Sequence, residues 1–203
     1  RAVTGSIPVN LKFLIEGEEE IGGASVAKYV EHNPARLKAD VALVSDAGTP
    51  ALNDPGYELV RAALASGFDV RPVPGPSSPV AALSVSGLPT DAFTYLGYLP
   101  HKKSERRKFV TQIANLRHTL IFLESPHRLL DSLEDLLAIL GDRPICVARE
   151  MTKLYEEFWR GPISGALEYF KSREVRGEFT LVVGGNQTMD SRPQTVATVH
   201  CPW

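Results

Sequence analysis

Cysteine, tryptophan and methionine are scarce in this chain, with two residues of each among 203. The cysteines, Cys146 and Cys201, are too few for a disulfide framework or a four-thiolate zinc site, so we expect a reducing, cytoplasmic setting. The sequence shows no basic-then-apolar leader, and no apolar run is long enough to cross a membrane. Because it starts at Arg1, we interpret its N-terminus as a processed, tagged or fused end.

An excess of either charge is also missing. Lys and Arg number 22 and Asp and Glu number 24, which gives a formal net charge of −2. Overall electrostatic attraction therefore cannot hold this chain to nucleic acid, and any such contact must be local. The 43% of apolar and 23% of charged residues are ordinary for a folded protein, which excludes disorder for most of the chain.

Short apolar segments alternate with helical patterns in a first domain that we place at residues 1–87. We predict strands over 7–16, 40–46 and 68–74, with helices over 24–32, between Asp54 and Gly67, and over 77–86. In the middle helix Asp54 is the expected N-cap, Pro55 the first helical residue and Gly67 the C-terminal stop. This order of strand and helix predicts a parallel, Rossmann-like sheet with right-handed crossovers.

The pattern breaks at 88–92, which we interpret as a linker, and resumes in a second α/β domain over 93–185. The predicted strands are 93–98, 119–123, 144–149, 155–160 and 178–183. One helix is predicted to follow the basic segment at 101–108, and two more cover 126–140 and 162–171. The tail over 186–203 has little periodicity, and we expect it to be disordered. The predicted fold class is thus α/β, with two small domains and a ligand cleft between them.

Three strand-to-helix turns share a content of Gly, Ser, Thr and Pro: 45–56, 74–79 and 124–128. Parallel α/β sheets bind ligands at the carboxyl ends of their strands, where these turns are predicted to lie. Glycine allows positive φ or close backbone approach, and hydroxyls can cap a helix or bind a ligand. Each turn could be only a well-made helix cap, but three turns over two domains favour a ligand cleft.

These turns also carry a family resemblance. The segments are VALVSDAGTPALNDPGYELV, PVPGPSSPVAALSVSGLPTD, LIFLESPHRLL, the ARExTK stretch ending at Lys153, and RGEFTLVV. From about Val41 to Gly185 the chain resembles the tetrapyrrole methylase superfamily, most closely its bacterial ribosomal-RNA ribose 2'-O-methyltransferases, which act on a cytidine of the small-subunit RNA.

The resemblance implies S-adenosylmethionine held between two α/β domains and in-line transfer of its methyl group to a ribose hydroxyl. The cofactor-binding residues that it implies are Ser45, Asp46, Ala47, Gly48, Thr49, Pro50, Ser77 and Ser78. Methyl transfer depends chiefly on alignment, but a base must take the hydroxyl proton. The candidates are Glu150, Glu124 and His127, each of which could instead have a structural role, in an ion pair or at a helix start.

The first 40 residues lack that family's glycine-containing cofactor loop and its acidic EDTR-like segment. PVNLKFLIEGEEEIGG and NPARLKADVALVSD instead resemble di-zinc metallopeptidases of the aminoacylase and dipeptidase kind. That resemblance implies Glu19 as general base, with Glu20 and Asp46 as metal ligands. Since the other ligands of that family are missing, a complete peptidase is excluded, and we predict a chimera joined at VALVSD. A divergent natural N-terminus is the alternative.

The acidic cluster holds four glutamates within residues 16–20. Their mutual repulsion would be relieved by raised pKa values or by a divalent ion such as zinc or manganese, which could activate water. A solvated acidic turn is the simpler alternative.

A basic segment at the start of the first helix in the second domain predicts contact with RNA phosphates. Its members are Lys102, Lys103, Arg106, Arg107 and Lys108. A solvated helix start explains the same charges, and no aromatic residue is interleaved with them. The methyltransferase resemblance further implies a homodimer.

Three functions stay open on the sequence alone. The first is a methyltransferase scaffold whose native activity depends on whether the missing cofactor loop is replaced. The second is a metal-dependent hydrolase of ester, phosphoester or amide bonds that uses Glu19, Glu20 and Asp46. The third is a folded but catalytically silent chimera.

Overall fold

The computed structural model describes residues 11–15, 41–45 and 48–186. Its elements, in chain order, are β1 (Leu11–Ile15), β2 (Val41–Ser45), α1 (Tyr57–Ala65), β3 (Val70–Pro72), α2 (Ser78–Ser86), β4 (Phe93–Tyr98), α3 (Lys103–Ile113), β5 (Thr119–Glu124), α4 (Leu129–Leu140), β6 (Pro144–Arg149), β7 (Glu157–Pro162), α5 (Ile163–Lys171) and β8 (Phe179–Val183). The α/β class is as predicted. The predicted helix over 24–32 lies outside the described residues, as does the predicted tail apart from Asn186.

The first sheet is parallel, in the strand order β2-β1-β3. Leu11 is in register with Val41 on one side and with Val70 on the other. The described strands of the first half therefore form the Rossmann-like parallel arrangement that the sequence predicted.

Helix α1 begins later than predicted. Tyr57 is its first residue and Gly56 its N-cap, so Asp54 and Pro55 belong to the preceding turn. Gly56 has a φ of 135°, and a Cβ there would lie 2.6 Å from a methyl group of Leu43. The start of α1 packs so closely against β2 that only glycine, which has no side chain, fits at residue 56.

The C-terminal stop of α1 is as predicted. Gly67 has a φ of 79°, and its N–H donates to the carbonyl of Leu64 at 3.0 Å. The N–H of Phe68 donates to the carbonyl of Ala63 at 3.0 Å, so the left-handed glycine turns the chain out of the helix.

The second sheet is mixed, in the strand order β4-β5-β8-β6-β7. Strand β4 is parallel to β5, while β8 is antiparallel to both β5 and β6, and β7 is antiparallel to β6. Strands β4, β5 and β6 consequently end where β7 and β8 begin. We call this the carboxyl edge; its residues are Tyr98, Glu124, Arg149, Glu157 and Phe179.

Alternate residues of the second sheet face two different apolar layers, as the two-residue repeat of a strand requires. Helices α3, α4 and α5 pack on one face, over residues such as Phe122, Val147 and Leu181. Helix α2 packs on the other face, where Ala82 and Leu83 meet a set made of Ile121, Cys146, Ala148 and Val182. The last helix of the predicted first domain therefore covers the sheet of the second, and the boundary at residue 87 stays a prediction.

Two hydrogen bonds orient α2 on that face. The hydroxyl of Thr119 donates to the carbonyl of Pro89 at 2.7 Å, and the guanidinium of Arg160 donates to the carbonyl of Val85 at 2.6 Å. Both donors lie away from the carboxyl edge, near the start of β5 and the end of β7. The C-terminal end of α2 is therefore held at the opposite edge, and its N-terminus is directed toward the carboxyl edge.

None of the helices in the described ranges combines the length and apolar character that a membrane crossing requires.

Candidate functional site

The loop after β2 has an unusual backbone. Left-handed φ angles occur in it at Gly48 (75°), Ala51 (67°), Asn53 (57°) and Gly56 (135°). Residues other than glycine rarely adopt this region, and such strain persists only where surrounding contacts enforce it. The N–H of Leu52 donates to the carbonyl of Thr49 at 3.1 Å and closes a turn inside the loop.

This loop contains most of the cofactor-binding residues that the sequence predicted. Ser45 ends β2 in register with Ile15, and Asp46 and Ala47 lie outside the described residues. Gly48 and Thr49 are half-buried and Pro50 is buried. A Cβ on Gly48 would meet no atom of the described residues within 4 Å, so none of them crowds the backbone there.

Asn53 joins the loop to the second sheet. The Tyr95 hydroxyl of β4 donates a hydrogen bond to Asn53 Oδ1 at 2.6 Å. Strand β4 shifts register against β5 between Tyr95 and Tyr98, and Gly97 within that irregularity has a φ of 64°. The loop of the first half thus rests on β4 close to the carboxyl edge.

The N-terminus of α2 carries the other two predicted cofactor residues. Ser77 is the N-cap, with an extended backbone (φ −138°), but its side chain makes no capping hydrogen bond. Ser77 and Ser78 are half-buried. The first N–H groups of a helix attract anionic groups, and those of α2 are directed toward the carboxyl edge.

Glu124, a predicted proton acceptor, is buried in a saturated network at the carboxyl edge. Its carboxylate accepts hydrogen bonds from the Ser125 N–H at 2.8 Å and the Ser132 hydroxyl at 2.5 Å. Arg128 Nη2 lies 2.5 Å from Glu124 Oε1, and Arg128 Nη1 donates to the carbonyl of Leu99 at 2.9 Å. Glu124 and Arg128 therefore tie the end of β5 to the chain just after β4.

Glu150, the second predicted acceptor, lies on a strained turn after β6. Its φ is 48°, and that of Thr152 is 67°, an outlier for a β-branched residue. Glu150 Oε1 accepts the N–H of Glu178 at 2.7 Å and lies 3.5 Å from Lys153 Nζ. The Glu150 N–H donates to the carbonyl of Glu178 at 3.0 Å, which fixes the turn against the entry to β8.

His127, the third predicted acceptor, is exposed in the turn between β5 and α4. All three predicted acceptors thus lie at or next to the carboxyl edge. They differ in how much of each side chain is already engaged.

Tyr98, at the end of β4, was missed by the sequence reasoning. Its side chain is 47% exposed. Partial burial raises the pKa of its hydroxyl, the nearby carboxylates of Glu178 and Glu124 raise it further, and Arg128 opposes the change. The phenol therefore stays protonated at neutral pH. The sequence did offer one indication of Tyr98: it is an aromatic residue at the end of a predicted strand, four positions before the basic segment.

The basic segment divides into exposed and buried members. Lys102, Lys103, Arg107 and Lys108 are exposed. Arg106 corrects the expectation that all five residues contact RNA, because only 2% of it is exposed and its Nε donates to Asp135 Oδ2 at 2.7 Å. Arg106 joins α3 to α4 and is not available to phosphate.

The residues of the predicted metal site, Glu19, Glu20 and Asp46, lie outside the described residues. Within the ranges that are described, no group of three or more His, Cys, Asp or Glu side chains is arranged to hold a metal ion.

Residues 12–166 match the family model of the tetrapyrrole (corrin/porphyrin) methylases. This match runs through the acidic cluster and the Val-Ser-Asp segment, so the comparisons give the metallopeptidase resemblance and the predicted chimera no support.

Curated relatives carry the name "Ribosomal RNA small subunit methyltransferase I". The protein of Halalkalibacterium halodurans is 50% identical over 171 residues, which cover 79% of this chain and 59% of the relative. That of Thermotoga maritima is 45% identical over 147 residues (72% and 66%), and that of Escherichia coli O157:H7 is 48% identical over 154 residues (74% and 54%). The chain thus spans between half and two thirds of the length of these relatives.

Solved structures of methyltransferases share the fold. The methyltransferase CobJ superposes with a TM-score of 0.55 at 20% identity, covering 82% of this chain and 72% of CobJ. Cobalt precorrin-4 methyltransferase CbiF gives 0.54 at 17% identity, covering 86% and 83%. At these identities the likeness shows the fold alone.

Proposed function

The chain belongs to the tetrapyrrole (corrin/porphyrin) methylase family, and on that premise we propose that it is part of an S-adenosylmethionine-dependent methyltransferase acting on ribosomal RNA. The acceptor would be a ribose 2'-hydroxyl of the small-subunit RNA. The observation that carries this proposal is the 45–50% identity to relatives named as small-subunit RNA methyltransferases. The cytoplasm is the compartment in which we expect such a protein to act.

The residues present fit the cofactor. We assign its binding to Ser45–Pro50, Ser77 and Ser78, as the family resemblance implied. Two observations support this assignment: none of the described residues crowds Gly48, and the start of α2 has no side-chain cap, so backbone groups at both places can meet a ligand. When bound, S-adenosylmethionine supplies the methyl group.

Glu150 is the proton acceptor that we favour. Glu124 is less suited, because both of its oxygens are engaged by Ser125, Ser132 and Arg128. In Glu150 the described contacts fall on Oε1, which leaves Oε2 to accept the proton of a substrate hydroxyl. Strained residues such as this one concentrate at active sites.

The decisive first experiment is calorimetric titration of the chain with S-adenosylmethionine. Micromolar binding is expected, and an absence of binding at millimolar ligand would remove the proposal. Methyl transfer to small-subunit RNA is then measured with Glu150→Gln, for which we expect kcat to fall about 10²- to 10⁴-fold at unchanged cofactor affinity. Full activity in this variant, with loss in His127→Ala, would move the role to His127.

RNA contact is assigned to the exposed part of the basic segment, together with Tyr98. Lys102, the N-cap of α3, and Lys103, its first residue, follow Tyr98 closely, so basic charges and an exposed aromatic ring are near each other along the chain. In this proposal Tyr98 offers the aromatic ring that the basic segment itself lacks.

Salt titration tests the assignment. The double substitution Lys102→Ala/Lys103→Ala should reduce the slope of log K against log salt by roughly 0.7 per lysine for single-stranded RNA. Arg71→Ala, which removes an exposed arginine from β3, is the matched control and should leave the slope unchanged. Equal slopes in all three proteins would contradict the assignment.

The family resemblance also leads us to propose a homodimer. Light scattering of the purified chain should give twice the monomer mass of 22.2 kDa. A monomeric mass across the accessible concentrations would remove this part of the proposal.

A further inference from the structure

We infer that Asn53 and Tyr95 are positioning residues for the methyl donor: their hydrogen bond fixes the cofactor loop of the first half against β4 of the second sheet. The inference rests on the proposed function. It concerns a contact between the two halves of the chain, beyond the residues to which cofactor binding has been assigned.

The bond joins two groups that are each restricted. Its length is 2.6 Å from the Tyr95 hydroxyl to Asn53 Oδ1. The ring of Tyr95 packs against the apolar layer beneath α2, which fixes the direction of the hydroxyl. Partial burial and the neighbouring Tyr98 both raise the pKa of this phenol, so it remains a donor at neutral pH.

Gly97 holds the same amide group from a second side. A Cβ at Gly97 would lie 2.7 Å from Asn53 Nδ2 and 2.9 Å from Asn53 Oδ1. The Asn53 side chain therefore rests on bare backbone, at a residue whose φ of 64° is left-handed. Asn53, Tyr95 and Gly97 together form a joint between the loop and β4.

The joint explains how the loop keeps its shape. Ala51 and Asn53 hold left-handed φ angles, a conformation that persists only when other contacts enforce it. Asparagine accepts this conformation more readily than most residues. Its side chain then reaches β4, so one residue both turns the loop and anchors it. Loosening the joint would let the loop relax and weaken donor binding.

Tyr95→Phe removes the hydroxyl and little else. We expect the Kd for S-adenosylmethionine to rise about three- to tenfold, the effect of losing one side-chain hydrogen bond. Tyr57→Phe is the matched control, because Tyr57 is 62% exposed on α1; its Kd should equal that of the unmodified chain. Titrations are run at a temperature at which unfolding curves show every protein fully folded.

Two more variants separate positioning from general stability. Asn53→Asp keeps an oxygen acceptor and tolerance of positive φ, so it should bind the donor better than Asn53→Ala. In a double-mutant cycle, Tyr95→Phe combined with Asn53→Ala should weaken binding no more than Asn53→Ala alone, because both changes remove the same bond.

The outcomes distinguish this inference from the proposed function. Unchanged Kd in Tyr95→Phe, or strictly additive effects in the cycle, would overturn the inference while donor binding by the unmodified chain stands. Absence of donor binding by the unmodified chain would remove the proposed function, and the inference with it.

Discussion

Breaking the buried ion pair between Arg106 and Asp135 should lower stability more than removing any exposed charge of the basic segment. Arg106 is 2% and Asp135 1% exposed, and Nε lies 2.7 Å from Oδ2. Arg106 Nη2 has no hydrogen-bond partner among the described residues and lies 4.0 Å from Asp131 Oδ2, and its Nη1 reaches only the carbonyl of His101 at 3.4 Å. Asp135→Ala would therefore leave a guanidinium buried with almost no compensation.

Breaking a buried pair by removing one partner costs about 3–5 kcal/mol. For a domain of this size, about 2–4 °C of Tm per kcal/mol turns this into a fall of roughly 6–20 °C. Loss of the second contact, from half-exposed Arg107 to Asp135 at 3.3 Å, adds little, since exposed pairs contribute about 0–1 kcal/mol. Urea titration and calorimetry measure the change.

Two comparisons make the prediction refutable. Asp131→Ala removes an exposed carboxylate 4.0 Å from Arg106 and should change stability by less than about 1 kcal/mol. The apolar pair Arg106→Met/Asp135→Leu should recover most of the loss and bind RNA like the unmodified chain. If Asp135→Ala costs no more than Asp131→Ala, the structural role assigned to Arg106 is wrong.

Three further predictions concern single groups. Burial raises the pKa of the Cys146 thiol, so in a Cys201→Ser background it should react with thiol reagents at pH 8 only after unfolding. The N–H and hydroxyl of Ser164 lower the pKa of Asp142. The ionised carboxylate therefore stabilises the folded state above about pH 4, and this stabilisation should be lost as the pH falls through the lowered pKa. In urea titrations, Asp142→Ala should reduce the dependence of the unfolding free energy on pH over that range. Gly177 has a φ of 88°, so Gly177→Ala should lower stability by about 1–2 kcal/mol in the same assay, and an unchanged midpoint would contradict the strain.

The elements of the second half were predictable because each has its own periodic pattern. Strand β8 was predicted over 178–183 and runs Phe179–Val183; the helix predicted over 126–140 runs Leu129–Leu140. Strand alternation and leucines at helical spacing are local properties, and here packing agrees with them. Burial of α2 against the second sheet was not predictable, since α2 consists mostly of small residues that give it no distinct apolar face.

The sequence predicted which turns carry the candidate site residues, but not the contacts and burial of those residues. The predicted turn at 124–128 does begin at the carboxyl edge, with Glu124, and the N-terminus of α2 is directed toward that edge. The start of α1 was misplaced because its loop is shaped by contacts distant in sequence, with Leu43 and Tyr95. The burial of Arg106 did leave a sign: it stands four and seven residues before Val110 and Ile113, on the apolar face of α3.

The position of α2 decides where this chain can be cut. A fragment that starts at the predicted linker would begin after α2, and the layer containing Ile121, Cys146 and Val182 would be open to water. Exposed apolar surface of this kind promotes aggregation. A fragment that starts ahead of Ser78 keeps the layer covered and retains the bonds from Arg160 and Thr119. A fragment of the second half that keeps this layer covered therefore begins inside what the sequence marks as the other domain.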